Sequence, residues 1–356
     1  MIPISICMIV KNEREHLEEC LKRLRPYDWE IVVVDTGSTD ETRAIALRYA
    51  DKVADFAWCD DFSAARNFSI ELADRPYILV LDADEYLVRV DMDELLGAIK
   101  VHPKDLGQIL IANHFYSNQT ESTSEERFPR FFAKQFYRYR YPIHEQVVSK
   151  APNAAQPIFY DIPVYLEHYG YLLTREAYVA KAQRNNKLLF EWLKKDPKNP
   201  YVFFQIGQSY HAIDEEENAY PYFREAFELS RGRHAQYEKS LIPSYAAVLL
   251  STNRMEEAND LLAFIQSTDY QDNADLCCTC GLIYIKQKRL LLAMGEFVRA
   301  LYAPIHTNHD ATHNIPLYNL GFINEKLGDP KEALANYRMC HDFPLATKRI
   351  AFLEKL

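Results

Sequence analysis

The chain has 356 residues, of which 48% are hydrophobic and 13% aromatic, enough to fill the cores of two or three compact domains. With only 10 glycines and 17 prolines it is neither disordered nor collagen-like. The net charge of −10 repels polyanions, so no nucleic acid partner is expected. The longest apolar runs fall well short of the roughly 20 residues that cross a bilayer, so no transmembrane segment is predicted.

The seven cysteines indicate the compartment. Their number is odd and they are scattered, which suits free thiols in a reducing cytosol better than a disulfide framework. The apolar N-terminus has no basic segment before it and no small-residue cleavage site after it, so it is read as a first strand and not as an export signal. A cytoplasmic protein is therefore expected.

Short apolar runs alternate with amphipathic stretches in the first half, which is typical of a sheet covered by helices. The pattern predicts three strands and two helices: Ile4–Val10, Glu30–Asp35 and Tyr77–Leu81 as strands, Glu13–Leu24 and Asp40–Ala50 as helices. Together they predict an α/β domain.

Capping boxes account for some of the acidic and hydroxyl residues near these elements. Ser38 and Asp91 each precede a glutamate by three residues, the spacing of a helix start. Because those two residues serve as caps, Asp35, Asp82 and Asp84 remain at strand ends without a structural duty. They are the first candidates for chemistry.

Beyond about residue 172 the strand pattern stops and an internal repeat begins. Four alanines recur at intervals of 39, 35 and 40 residues, and three other positions keep step with them. The four sets are Ala219/Ala258/Ala293/Ala333, Gly207/Ala246/Gly281/Gly321, Phe223/Leu262/Phe297/Tyr337 and Ala226/Ile265/Ala300/Cys340. Small residues let paired helices approach closely, and the large residue fills the groove between them. The pattern resembles about four tetratricopeptide repeats, preceded by a helix from about Arg175 to Lys194.

The first strand is followed by Lys11-Asn12-Glu13 and not by a glycine-rich loop, and no P-loop occurs. A phosphorylated ligand must therefore be neutralised by other means. Asp82-Ala83-Asp84 offers one: in an extended segment both carboxylates lie on the same face, where a hard cation such as Mg²⁺ or Mn²⁺ can join them. The alternative is that the pair are loop residues that end a strand.

Four blocks of this region resemble the family 2 glycosyltransferases of the GT-A fold, over residues 1 to about 172. They are Ser5–Glu13, Val34–Asp40, Asp61–Asn67 and Leu81–Glu85, in that family's order. The pairing with C-terminal repeats resembles a bacterial subgroup that includes flagellin glycosyltransferases and bacteriocin peptide glycosyltransferases. The resemblance implies a GT-A domain at 1–172, a connecting helix at 173–199 and an all-α tetratricopeptide-repeat array at 200–356.

The resemblance also implies roles for residues of the first domain. Asp35 is expected to contact the base or ribose of a nucleotide-sugar, and Asp82 and Asp84 to bridge a divalent metal (Mn²⁺ or Mg²⁺) to its diphosphate, Asp84 more directly. Further donor contacts are expected from Lys11, Arg66 and Asn67. The planar guanidinium of Arg66 also suits a bidentate grip on phosphate; its alternative is a surface ion pair with Asp60 or Asp61.

Two later segments carry the remaining candidates. Glu145 is the candidate general base that deprotonates the acceptor, with His144 beside it as an additional site residue. The alternative for Glu145 is an exposed residue in a solvated turn. His168 resembles the C-terminal histidine of GT-A domains, which completes the metal shell or touches the diphosphate; its alternative is a structural role. Packing is preferred over metal binding for the cluster Cys277, Cys278 and Cys280.

Together these features predict a metal-dependent, inverting glycosyltransferase that uses a nucleotide-diphosphate sugar, a UDP-sugar by preference. The repeats are expected to bind a peptide or protein acceptor, although such arrays equally serve as homodimer or docking surfaces. The rivals are a non-catalytic peptide-binding scaffold with a degenerate sugar-nucleotide fold, a glycan-directed glycosyltransferase, and a nucleotidyltransferase. Both acids of Asp82-Ala83-Asp84 are intact, which disfavours the scaffold, and the missing glycine-rich loop disfavours the nucleotidyltransferase.

Overall fold

The computed structural model describes residues 2–117, 120–151, 157–171, 175–231, 237–306, 308–341 and 343–355. The chain divides into two compact units, Met1–Lys181 and Ala182–Leu356. The division falls within helix α5 (Arg175–Lys195). Residues 172–174, which contain the predicted start of a connecting segment, lie outside the described residues.

The first unit is built on a mixed sheet. Its strands are β1 (Ile4–Val10), β2 (Glu30–Asp35), β3 (Lys52–Asp55), β4 (Tyr77–Val80), β5 (Glu85–Val90), β6 (Leu106–Ser117), β7 (Thr120–Ala133), β8 (Tyr137–Arg140), β9 (Gln146–Ser149) and β10 (Phe159–Tyr171). Its helices are α1 (Leu17–Leu24), α2 (Thr42–Tyr49), α3 (Phe62–Leu72) and α4 (Met92–Val101).

Among the described residues, eight of these strands form one sheet in the order β3-β2-β1-β4-β7-β6-β10-β5, and β8 and β9 pair as a hairpin. Strands β1 to β4 run parallel to one another, while β7 is antiparallel to both β4 and β6. The carboxyl ends of β1, β2 and β4 therefore share one edge, where ligands bind in open α/β sheets. The predicted α/β architecture is confirmed.

The central strands of the sheet are buried on both faces. Alternate residues of a strand point to opposite sides, and on β1 both sets are packed in a core. On β1, Ile6 and Met8 pack into a core with Leu17 and Leu21 of α1. Cys7, between them, packs on the other face against α3. This two-sided burial explains why the central strands are continuous apolar runs.

Two local predictions are wrong. Helix α1 begins at Leu17 and not at Glu13, because residues 13–16 form a turn whose Glu13 carbonyl accepts the N–H groups of His16 and Leu17. Ser38 does not cap α2: its Oγ accepts the N–H of Asn12 at 3.0 Å, and the N–H of Thr42 at the helix start is bound by Asp40 Oδ1 instead. At the second predicted capping box the N-cap is confirmed, since Asp91 accepts the N–H of Glu94. The reciprocal contact is not made, because the N–H of Asp91 donates to the Pro163 carbonyl.

The second unit is helical. Its helices after α5 are α6 (Pro200–His211), α7 (Glu216–Ser230), α8 (Glu238–Ser251), α9 (Met255–Gln266), α10 (Ala274–Lys286), α11 (Leu290–Ala300), α12 (Asn314–Leu327), α13 (Pro330–Met339) and α14 (Pro344–Leu353). The pairs α6/α7, α8/α9, α10/α11 and α12/α13 are the four predicted repeats, and the helix predicted before them is α5.

Close approach within each pair follows the repeat pattern. A Cβ built on Gly281 would lie 2.7 Å from the Phe297 ring, and one on Gly321 would lie 2.6 Å from the Tyr337 ring. The aromatic ring of one helix thus packs directly against the glycine backbone of the helix before it. Ala219, at the alanine position of the first repeat, is fully buried.

All seven cysteines carry free thiols. Cys277, Cys278 and Cys280 are buried, and the thiols of Cys277 and Cys278 donate to backbone carbonyls, as expected of packing residues. Of the helices in the described part of the chain, none combines the length and apolar character needed to cross a membrane.

Candidate functional site

The ends of β1 and β2 are tied together by their loops. Asn12, in the left-handed region at φ 56°, accepts the N–H of Thr39 through its side-chain oxygen at 2.8 Å. Asp35, the last residue of β2, accepts the N–H groups of Gly37 and Ser38 with Oδ1, each at 2.7 Å. Its Oδ2 is buried and accepts no hydrogen bond from the described residues. Such an orphan acceptor is costly unless a ligand satisfies it.

The acidic motif follows β4 directly, but it is a turn and not an extended segment. The N–H of Glu85 donates to the Asp82 carbonyl at 3.2 Å, and the N–H of Asp82 donates to the Glu85 carboxylate at 2.8 Å. The expectation that Asp82 and Asp84 follow a strand period is therefore wrong, and the two side chains engage different partners.

Asp82 is bound by two arginines. Arg66 Nη2 donates to its Oδ1 at 2.9 Å, and Arg130 donates to its Oδ2 at 3.3 Å and to Glu85 Oε1 at 3.3 Å. Burial opposes ionisation of Asp82, but the two guanidinium charges outweigh it and lower the pKa of its carboxyl. Glu85 is more deeply buried, and its pKa is raised although Arg130 opposes the shift.

Arg66 also joins this cluster to Glu145. Its Nε donates to Glu145 Oε1 at 2.6 Å, and the Glu145 side chain is only 13% exposed, so the alternative of a solvated turn is wrong. The surface ion pair considered for Arg66 is wrong as well: Arg66 is buried, Asp61 caps α3, and Asp60 accepts from Trp58. Arg66 Nη1 is buried and has no acceptor among the described residues.

The link between α3 and the hairpin that carries Glu145 is made by Asn67. Its amide bonds both the N–H and the carbonyl of Tyr139 on β8, each at 2.9 Å, as a neighbouring strand would. Asn67 thus positions Arg66, its neighbour on α3. Burial raises the pKa of the Tyr139 hydroxyl to about 12, and that hydroxyl has no partner in the described part of the chain.

Asp84 turns towards His168. His168 Nε2 lies 3.4 Å from Asp84 Oδ2, while its Nδ1 lies 2.9 Å from the side-chain oxygen of Asn113. The sheet register makes this contact, because His168 of β10 pairs with Asn113 of β6. A Cβ on Gly170 would lie 2.0 Å from Asp84 Oδ2, so any other residue there would displace the Asp84 carboxylate. Burial lowers the pKa of His168, but the hydrogen bond and charge of Asp84 outweigh it, and the net shift is upward.

The Asp84 carboxylate and the His168 imidazole suit a divalent cation that takes few of its ligands from the protein. No group of three or more histidine, cysteine or acidic side chains among the described residues is arranged around one point. Asp84 and His168 do form a carboxylate–imidazole pair, and Asn113 holds the imidazole so that Nε2 faces the carboxylate. Hydrogen bonds of this kind commonly orient the histidines that bind metals. A separation of 3.4 Å allows both atoms to reach one ion at about 2.0–2.2 Å.

Three residues not singled out from the sequence belong to this cluster: Arg130, Glu85 and Glu13. Glu13 is half-buried, and burial together with the charges of Asp84 and Asp82 raises its pKa to about 7. The sequence feature that could have identified Glu13 as a site residue is its position in the block Ser5–Glu13. No spacing in the sequence points to Arg130, because β7 lies beside β4 only in the folded sheet.

The other predicted site residues are more exposed. Lys11 is exposed in the bend after β1, and His144 is exposed with a left-handed backbone at φ 50°. Neither is brought into the Arg66 or His168 contacts described above.

The comparison with known protein families agrees with this fold. Residues 5–152 match the profile of glycosyl transferase family 2. The chain carries a glycosyl transferase family 2 domain. Residues 200–233 match a tetratricopeptide repeat, which confirms the predicted pairing of a glycosyltransferase domain with repeats.

Curated relatives support glycosyltransferase activity for such a chain. The SPbeta prophage-derived glycosyltransferase SunS of Bacillus subtilis is 25% identical over 348 residues, 92% of this chain and 80% of that protein. A TPR repeat-containing protein of Synechococcus elongatus is 34% identical over 213 residues, 58% of this chain. The match spans only 52% of that relative's length.

Solved structures with similar helices include a MamA fragment from Desulfovibrio magneticus RS-1, with a TM-score of 0.36 and 19% identity, covering 51% of this chain and 95% of that chain. The repeat assignment rests on the helix pairs of this chain and on the match at residues 200–233.

Proposed function

We propose that the glycosyltransferase domain transfers a sugar from a nucleoside diphosphate, UDP by preference, with inversion at the anomeric carbon. The observation that carries this proposal is a pair of orphan polar atoms at one edge of the sheet. Asp35 Oδ2 is a buried acceptor and Arg66 Nη1 a buried donor. A nucleotide supplies the complement of both, since a base or ribose donates hydrogen bonds and a phosphate accepts them.

We propose that Asp84 and His168 hold the divalent metal, Mn²⁺ or Mg²⁺, with the diphosphate completing its coordination. When bound, the metal would neutralise charge on the leaving nucleoside diphosphate. Asp82 serves the same ligand indirectly, because its two oxygens orient Arg66 and Arg130. Lys11 lies at the same sheet edge, where its charge favours an anionic donor.

We propose Glu145 as the general base. The guanidinium of Arg66 binds only Oε1, and the other oxygen accepts no hydrogen bond from the described residues, which leaves it for the acceptor proton. The proton moves from the acceptor hydroxyl or thiol to Glu145 as the acceptor atom forms its bond to the anomeric carbon. The bond to the diphosphate oxygen breaks in the same step, and the nucleoside diphosphate departs with the electron pair. His144, next in sequence, lies on the exposed side of this loop.

We propose a polypeptide acceptor bound by the repeats, in the cytoplasm. Similarity to SunS extends over 92% of this chain, so the helical half accompanies the transferase domain in that relative. The seven free thiols suit a reducing compartment. A glycan acceptor is the alternative, and it predicts transfer that is indifferent to changes in the repeats.

Donor binding is tested by thermal unfolding with UDP, with and without Mn²⁺. Ligand at 100 times its dissociation constant stabilises the fold by about 2.7 kcal/mol. Asp84→Asn and His168→Ala are expected to abolish most of the Mn²⁺-dependent part. The matched control is Asp105→Asn, which alters another acid–histidine pair, with His102 at 3.0 Å. Stabilisation that resists EDTA, or that persists unchanged in Asp84→Asn, refutes the metal assignment.

Catalysis is tested by nucleoside diphosphate release from a panel of nucleotide-sugars. Glu145→Gln should lower kcat by about 10²–10⁴-fold and largely preserve donor binding, because the amide keeps an oxygen that can accept from Arg66 Nε but cannot take up the proton. If donor affinity falls by the same factor instead, Glu145 merely positions Arg66 and the base lies elsewhere.

A further inference from the structure

Helix α11 has an apolar outer face. Leu291 is 73% exposed, Val298 43%, and Tyr302, in the turn directly after the helix, 83%. With Gly295 these residues are spaced at i, i+4, i+7 and i+11, which places them in one line along the helix. We refer to Leu291, Gly295, Val298 and Tyr302 as the α11 stripe. Leu292 beside it is also exposed.

The other repeats show that the fold does not require this stripe. In repeats one, two and four, polar or charged residues fill most of the equivalent positions. The position of Leu291 holds Glu217, Glu256 and Lys331 in those repeats, and the position of Tyr302 holds Glu228, Ser267 and Asp342. The position of Val298 holds Arg224, Arg338 and, in the second repeat, the small Ala263. The third repeat alone presents apolar side chains at all three positions. Apolar side chains lined up on one exposed face are characteristic of an interaction surface.

Gly295 is not explained by packing within the chain either. A Cβ built there would meet nothing within 4 Å, whereas one on Gly281 would strike the Phe297 ring. Glycine inside a helix costs about 1 kcal/mol relative to alanine. Gly295 therefore leaves a notch in the middle of the stripe, into which a side chain from outside can fit.

We propose that the α11 stripe is the contact between two copies of this chain, packed antiparallel about a two-fold axis. Leu291 and Tyr302 are equally far along the chain from the midpoint of the stripe, and so are Gly295 and Val298. In an antiparallel pair, Val298 of each copy therefore faces the notch at Gly295 of the other. Leu291 of each copy faces the ring of Tyr302. A two-fold contact needs such a self-complementary surface.

Charge limits where on the surface a second copy can bind. The chain carries a net charge of −10, so most of its surface repels an identical molecule. On α11 the nearby acid Glu296 is buried and bound by Arg299 at 2.7 Å. The stripe thus presents no acidic side chain to its symmetry mate.

The test is sedimentation of the full chain over a range of concentrations. The wild type should dimerise reversibly, and Leu291→Glu or Val298→Arg should weaken dimerisation at least about 10-fold. Both changes copy residues that other repeats carry at the same positions, so the fold should tolerate them, and circular dichroism checks this. Glu217→Lys, at the Leu291 position of the first repeat, is the matched control and should not alter dimerisation.

Crosslinking tests the antiparallel register. In a Cys59→Ser background, a mixture of Gly295→Cys and Val298→Cys chains should form the mixed disulfide, whereas Gly295→Cys with Glu217→Cys should not. A wild type that is monomeric at every concentration overturns the proposal. So does a dimer that the stripe variants leave unchanged, or a monomer whose stripe variants lose transfer to a polypeptide, which would assign the stripe to the acceptor.

Discussion

Arg130→Met should destabilise the first unit more than any surface charge change. The side chain of Arg130 is 18% exposed and lies 3.3 Å from carboxylate oxygens of both Asp82 and Glu85. At an effective dielectric constant of about 20, unit charges at that distance attract by about 5 kcal/mol. The substitution also removes the cost of burying the guanidinium, so we expect a net loss of about 3–5 kcal/mol, as for other broken buried pairs.

Chemical denaturation measures this loss if the two units are observed separately. Trp29 and Trp58 lie in the first unit and Trp192 in the second, so a Trp192→Phe background makes tryptophan fluorescence specific to the first unit. Arg127→Met is the control on the same strand. Its guanidinium pairs with Asp161 in solvent, and such exposed pairs contribute at most about 1 kcal/mol.

The loss should also depend on pH. Burial already raises the pKa of Glu85, and removal of a cation raises it further. An acid whose folded pKa exceeds its unfolded value becomes less destabilising as the pH falls, because the folded state takes up the proton first. The difference between Arg130→Met and wild type should therefore shrink at acidic pH, and Glu85→Gln should restore part of it at neutral pH. A loss below about 1 kcal/mol, or one that is the same at every pH, refutes the charge argument and leaves packing alone.

Three further predictions concern local energetics. Glu13→Gln should flatten the pH dependence of stability: the wild type should lose stability relative to the variant as pH rises from 4.5 to about 7, since its folded state holds the proton longer. Gly281→Ala should destabilise the second unit by about 1–3 kcal/mol because its Cβ strikes Phe297, whereas Gly97→Ala, with open space at its Cβ, should stabilise α4 by about 0.5–1 kcal/mol. Asp91→Ala should cost about 1 kcal/mol through loss of the α4 cap. Denaturant melts of each variant provide the measurement.

Periodicity in the sequence located β1, β2 and β4 and the helices of the repeats, but not the other strands of the first unit. The strand Ile4–Val10 and the helix pairs of the repeats follow from patterns of burial that one helix or strand imposes by itself. The capping box at Ser38 failed because a serine hydroxyl can bind any nearby N–H. Its partner is Asn12 on another loop, and no local spacing reveals that contact.

Several residues of the candidate site could be named from sequence motifs, but the contacts between them could not be predicted. Asp82, Arg66 and Glu145 were named from motifs, yet their joining depends on Asn67 fastening α3 to β8. Arg130 reaches Asp82, 48 residues before it in the chain, only because β7 inserts beside β4. Long-range strand pairing of this kind leaves no periodic trace in the chain.

The turn at Asp82-Ala83-Asp84 separates the duties of two acids that the sequence presents as equivalent. A turn lets adjacent carboxylates point at different partners, so Asp82 faces two arginines while Asp84 faces His168. The arginines lower the pKa of Asp82, so that acid stays anionic and orients them. Asp84 faces His168 instead, an imidazole that can release its proton. Charge removal at Asp82 should therefore leave Arg66 and Arg130 without a shared counter-charge, whereas charge removal at Asp84 should lower the pKa of His168, which Asp84 raises.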